Sequence, residues 1–134
     1  MNETTVDTLR AIALFEKVPG DALEKLAGRA AEIRVAPGQV LIEIGQPGAG
    51  LFVLQEGLLE VDLPSGRVVE LGPGQFVGEI ALLTDRPHVA RVRAKPEARC
   101  LAIARADFAA LLHEAPQIAV AMLPVLAQRL ADGL

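Results

Sequence analysis

GQVLIEIGQPGAGLFVLQEGLLEVDLPSGRVVELGPGQFVG, residues 38–78, decides the fold. Nine of the twelve glycines of the chain fall in this stretch. They cut it into the runs QVLIEI, LFVLQ, LLEVDL and RVVEL, with breaks at GQPGAG, EG, PSG and GPG. The runs are built from Val, Ile, Leu and Phe, which suit a pleated, half-buried surface, and Gly and Pro supply the turn geometry. Two more runs follow, VARVRA and RCLAIA, separated by KPEA. About seven or eight short strands at this rhythm predict a mainly β protein, an antiparallel jelly roll or double-stranded β-helix.

The ends read as helix. Leu9, Ile12, Ala13 and Phe15 recur at near-helical spacing. After the break at Pro19-Gly20, Asp21 is a candidate N-cap with Glu24 completing a capping box, ahead of the stripe Leu23, Leu26, Ala27 and Ala30. RADFAALLHE places Phe108, Leu111 and Leu112 on one side, and Pro116 suits the first turn of a last helix. Pro124, inside that helix, removes a backbone hydrogen bond and predicts a kink. The apolar residues Ile118, Met122, Val125, Leu126 and Leu130 outnumber what one packed face needs, which raises a homodimer or partner domain on the C-terminal helix. The expected organisation is one domain over 1–134: N-terminal helices in 1–31, the jelly roll in 32–104, and C-terminal helices in 105–134.

Composition narrows the function. At 134 residues and 51% hydrophobic, the chain can bury one substantial core. Four Phe and no Trp or Tyr make that core aliphatic and leave little for base stacking. A net charge of −4 argues against nucleic-acid binding by this chain. The basic residues Arg86, Arg91, Arg93, Lys95 and Arg99 crowd one segment, preceded by Glu43, Glu56, Glu60, Asp62 and Glu70. The simplest reading pairs them across a solvated strand face. Cys100 is alone, in an apolar run. The opening MNETTVDTLR lacks the order of a secretory signal, and the apolar run 118–127 is shorter than the ~20 residues that span a bilayer. A cytoplasmic protein without membrane contact is the expectation.

The chemistry concentrates in GEIALLTDRPHVARV, residues 78–92. A glycine opens a short apolar turn, a carboxylate sits beside it, and basic residues follow. A short helix is expected near Gly78–Leu83. With LFEKVPGDALEKLAGRAAEIRVAPGQVLIEIGQPGAGLFVLQEGLLEV before it and LGPGQFVGEIALLTDRPHVARVRA around it, the chain resembles the cyclic nucleotide-binding domain family over about Leu14 to Leu130. That family includes regulatory subunits of cyclic-AMP-dependent kinase, gated channels and catabolite-activator-type regulators.

The resemblance makes Val77–Val92 a phosphate-binding cassette. It implies that Gly78 lets the backbone approach the ligand and that the N–H groups of Ile80, Ala81 and Leu82 face the phosphate. Glu79 would accept the ribose 2′-OH, and Ala90 would leave room beside the sugar-phosphate. The family's phosphate-binding arginine falls on His88, a side chain mostly neutral at pH 7. Val89 follows where a small or hydroxylated residue is common, and Ile44 and Ala49 replace residues that are often acidic. Arg91 and Arg86 are looser candidates for the phosphate, Arg91 pointing away from His88 on strict alternation.

Two readings stay open. In one, the domain senses cyclic AMP or cyclic GMP in signal transduction, with the break at Ala115-Pro116 as a hinge. In the other it is a degenerate domain that no longer binds cyclic nucleotide and works as a dimerisation or interaction module. Catalysis is disfavoured. His88 and His113 are the only histidines, too few for a cupin-type metal centre, so neither metal nor cofactor is expected. A helix-turn-helix would need residues beyond Leu134.

Overall fold

The computed structural model describes residues 2–132, so residues 1, 133 and 134 of the expected helical segments lie outside the described residues. It divides into two compact units, Ala31–Arg105 and Met1–Ala30 with Ala106–Leu134.

The first unit is the β structure. Its strands are β1 (Ala30–Val35), β2 (Val40–Ile42), β3 (Gly50–Glu56), β4 (Leu59–Asp62), β5 (Val68–Leu71), β6 (Phe76–Val77), β7 (Arg91–Ala94) and β8 (Ala98–Ala104). They form two four-stranded sheets, ordered β1-β8-β3-β6 and β2-β7-β4-β5. Strands distant in sequence are neighbours in both sheets, which is the crossing pattern of a jelly roll. The pairings of β3 with β8 and β6, and of β4 with β5 and β7, are antiparallel.

Period-two burial explains the sheets. In β7, Val92 and Ala94 are buried while Arg91 and Arg93 are not, and β4 buries Leu59 and Val61. One aliphatic cluster joins the two sheets: Val35, Leu54, Val77 and Cys100 from one, Ile42, Leu59, Val61, Leu71, Val92 and Ala94 from the other. Each fully buried Leu or Val contributes roughly 1.5–3 kcal/mol. Cys100 belongs to this cluster, and burial pushes its thiol up to about 11, so it packs as a small hydrophobe.

The basic segment is neutralised across the outer face. Arg91 pairs with Glu43 at 2.9 Å, Arg93 with Asp62 at 2.5 Å, and Lys95 with Glu70 at 2.7 Å. Arg99 pairs with Glu56. Glu60 lies directly opposite Glu70 in the β4–β5 register, and Lys95 offsets that repulsion by reaching both.

The second unit holds α1 (Asn2–Arg10), a 3-10 turn at Ala13–Phe15, α2 (Gly20–Arg29), α4 (Arg105–Glu114) and α5 (Gln117–Ala131). The β unit carries the short helix α3 (Glu79–Thr84). Here α1 packs on α2, and α5 on the 3-10 turn. Arg29 ties α2 to α4 through Asp107 at 3.1 Å and Glu114 at 3.7 Å.

Two local expectations are corrected. The first apolar stripe does not form one helix: α1 ends at Arg10, and Phe15 comes inward from the 3-10 turn while Ala13 is exposed. Asp21 is not an N-cap. The N-cap of α2 is Pro19, two residues earlier, whose carbonyl accepts from Leu23 N–H at 2.9 Å, and Asp21 sits in the first turn. Its charge still favours that end of the helix. The last helix continues through Pro124, and a turn of 113° between α4 and α5 falls at the Ala115-Pro116 break. Among the described residues no single helix is long and apolar enough to cross a membrane.

The apolar excess of α5 also sorts differently. Ile118 and Met122 are buried and Val125 and Leu126 half-buried, so the exposed stripe is Val120, Leu123 and Leu130.

Candidate functional site

The site is built on the chain between β6 and β7. After Val77 the backbone turns through Gly78 at φ 97° and ψ −10°, a left-handed conformation that glycine adopts without strain. Helix α3 follows at once. Glu79 is its first residue and is 5% exposed, the one buried charged side chain among the described residues. A carboxylate there is favoured by the helix dipole.

The first turn of a helix leaves its N–H groups without intrahelical partners. Here these belong to Glu79, Ile80 and Ala81. Leu82 is different, because its N–H donates to the Gly78 carbonyl at 3.3 Å. Of the three amides expected to face a phosphate, Leu82 is therefore engaged in the helix. The side chain of Ile80 is exposed and that of Ala81 buried. Thr84 closes the helix by donating its hydroxyl to the Ile80 carbonyl at 2.6 Å, and Asp85 caps it at φ 55°.

The segment after α3 is fastened to the turn before β3. Gly45 N–H donates to the His88 carbonyl at 2.8 Å, and His88 N–H donates to the Gln46 carbonyl at 2.9 Å. The His88 side chain is half-buried, and loss of water around it holds its pKa below the usual histidine range. At neutral pH it brings no positive charge. Val89 is 60% exposed, and Ala90 packs against the aliphatic cluster.

Cassette helix and loop meet at Gly48. A Cβ placed there would lie 3.0 Å from the Ala81 Cβ and 3.3 Å from Nη1 of Arg105. Arg105, the residue after β8, donates from Nη1 to the Gly48 carbonyl at 3.2 Å and pairs through Nη2 with Asp85. Its backbone N–H donates to the Ala49 carbonyl at 3.0 Å. Gly45, Pro47, Gly48, Asp85, Arg86, Pro87 and Arg105 line a cleft of ≈160 Å³.

The structure thus gathers Gly78–Leu82 in one helical turn, and joins that turn and His88 to the loop 45–48. Arg86 enters the cleft. Arg91 does not, because it points outward and donates from Nε to Glu43. Glu43 is in turn held below the usual carboxylate range, first by the Ile44 N–H and then by Arg91. Arg105 was the residue missed in the sequence. RADFAALLHE reads there as an apolar helical stripe, and the available signal was a lone Arg at the junction of an apolar strand and a helix. No three potential metal ligands come together among the described residues.

Residues 32–115 match the cyclic nucleotide-binding domain. The chain is 39% identical over 110 residues to a cyclic nucleotide-gated potassium channel of Mesorhizobium japonicum, covering 81% of this chain and 30% of that protein. Among solved structures it resembles the regulatory subunit of a cAMP-independent protein kinase A from Trypanosoma brucei. The TM-score is 0.82 and the identity 25%, over 96% of this chain and 45% of that one. The catabolite activator protein of Thermus thermophilus shares the fold, with TM-score 0.79 and 24% identity over 90% of this chain and 59% of that one. The chain spans about 30% of the length of the first curated relatives it matches. On the match of its β unit and on these relatives, the chain belongs to the cyclic nucleotide-binding domain family.

Proposed function

We propose that this domain is a regulatory sensor that binds a cyclic nucleoside monophosphate, cyclic AMP or cyclic GMP, and performs no catalysis of its own. The observation that carries the reading is Glu79, a buried carboxylate at the first position of α3, set directly after the left-handed Gly78. A carboxylate at that position can accept a ribose 2′-OH, and the first-turn amides beside it suit the singly charged cyclic phosphate.

Calorimetric titration with cyclic AMP, cyclic GMP and a cyclic dinucleotide tests the reading. Glu79→Ala should lower affinity roughly ten- to a hundredfold, as expected for one hydrogen bond to a charged group, and should erase any preference for ribose over 2′-deoxyribose. Equal affinity for both sugars in the unmodified protein removes Glu79 from the site.

The second reading is a domain that keeps the cassette without binding cyclic nucleotide. It draws on neutral, half-buried His88 in the place of the family's arginine. It also draws on the likeness to a kinase subunit described as cAMP-independent. It predicts no heat with any of the three ligands, and an interaction role for the exposed residues of α5.

A further inference from the structure

We propose that Arg105 supplies the permanent positive charge for the phosphate of the bound cyclic nucleotide, with Asp85 as the counter-ion it gives up on binding. The assignment rests on the sensor reading above and names the cation that reading lacks. The cations of the β unit divide into those already committed elsewhere and those near the cassette. Arg91, Arg93, Lys95 and Arg99 are held by carboxylates along the strands. Arg34 pairs with Glu97 at 3.7 Å, and Arg67 is in the turn between β4 and β5.

Arg105 differs in where it reaches. A Cβ at Gly48 would lie 3.0 Å from the Ala81 Cβ and 3.3 Å from Arg105 Nη1, so the guanidinium and the first turn of α3 both close on Gly48. Arg105 shares its cleft with Gly48, Asp85 and Arg86. Absence of a side chain at Gly48 is what admits both groups. The partner now on Nη2 is Asp85, which is 85% exposed. An exposed ion pair adds little to stability, so exchange of a solvated carboxylate for a phosphate is cheap. Arg presents a planar fork suited to two phosphate oxygens, which histidine cannot do. Arg86 lines the same cleft and makes no ion pair to a described residue, so the cleft as a whole is electropositive once Asp85 is displaced.

A purely structural tie from Arg105 to Asp85 makes a different prediction, and the two are separated by sign. Cyclic AMP and cyclic GMP are titrated calorimetrically into the unmodified chain, Arg105→Gln and Asp85→Asn, with melting midpoints taken in parallel. Arg105→Gln should weaken binding roughly ten- to a hundredfold, because a charge-assisted bond is lost. Asp85→Asn should tighten it by up to about fivefold, because the competing carboxylate is gone. If Arg105→Gln and Asp85→Asn weaken binding together, or neither moves it, Arg105 is only a tie and the assignment is overturned while the sensor reading stands. If the unmodified chain binds neither nucleotide, the sensor reading itself fails and takes the assignment with it.

Discussion

Gly78 and Gly50 meet backbone to backbone: a Cβ on Gly78 would stand 2.4 Å from the Gly50 carbonyl oxygen. Gly50 is itself pressed, its own Cβ position lying 2.6 Å from the Ile103 carbonyl oxygen. The entry to the cassette helix is thus clamped onto β3, and β3 onto β8, with no side chain between them. Gly78→Ala adds this clash to a left-handed φ of 97°, so it should cost about 2 kcal/mol or more. Gly28→Ala is the control, since nothing lies within 4 Å of its Cβ position in α2, and it should stabilise by roughly 0.5–1 kcal/mol. Urea unfolding of both variants checks this. A Gly78→Ala protein as stable as the parent would show that the turn is not fixed as described.

Arg91 should be silent in ligand binding. Its guanidinium is turned to Glu43 on the outer face, and both side chains are about 40% exposed. Arg91→Gln should leave cyclic nucleotide affinity unchanged and cost at most ~1 kcal/mol of stability. A tenfold loss of affinity in the titration would return Arg91 to the site.

Met122 and Leu123 are adjacent in α5 and should behave oppositely. Met122 is 2% exposed, so Met122→Ala should cost about 2–5 kcal/mol and lower the melting midpoint whatever the oligomeric state. Leu123 and Leu130 are 62% and 80% exposed, so Leu123→Glu and Leu130→Glu should leave monomer stability within about 0.5 kcal/mol. If this stripe is a partner face, the same two changes shift sedimentation toward the monomer without loss of β structure. Destabilisation by Leu123→Glu at protein concentrations where the chain is monomeric would contradict the exposed placement.

Much of this was legible before any coordinates. Turn glycines and apolar runs repeat along residues 38–78, and a period-two pattern leaves few choices of face, so the strands and their inner residues follow. The pairing of the basic segment with earlier acidic residues followed from alternation too. What could not be read were events between distant positions. Arg105 and Asp85 are twenty residues apart and meet only because β8 ends beside the cassette. On α5, periodicity gives an apolar excess but not which side is already covered, and Met122, counted in that excess, is buried. Helix starts failed for a smaller reason: Pro19 and Asp21 both suit that end, and the backbone chose the proline.

His88 leaves its own signature in stability against pH. Partial burial holds its folded-state pKa below the ordinary 6.5, so folding favours the neutral ring. As pH falls below about 6.5 the unfolded chain takes up this proton first. Stability therefore declines with falling pH across that window, and the contribution levels off once pH drops below the folded-state pKa. His88→Gln cannot titrate and should flatten this part of the profile. The contribution of Glu43 is separate, because its depressed carboxyl stabilises above the ordinary 4.5 and is lost only as pH falls further. Urea midpoints of parent and His88→Gln at about pH 7.5, 6.5 and 5.5 resolve the difference. A parent profile that rises toward acid in this range would mean that His88 gains an anionic partner in the folded protein, and parallel profiles would mean that its ring is solvated.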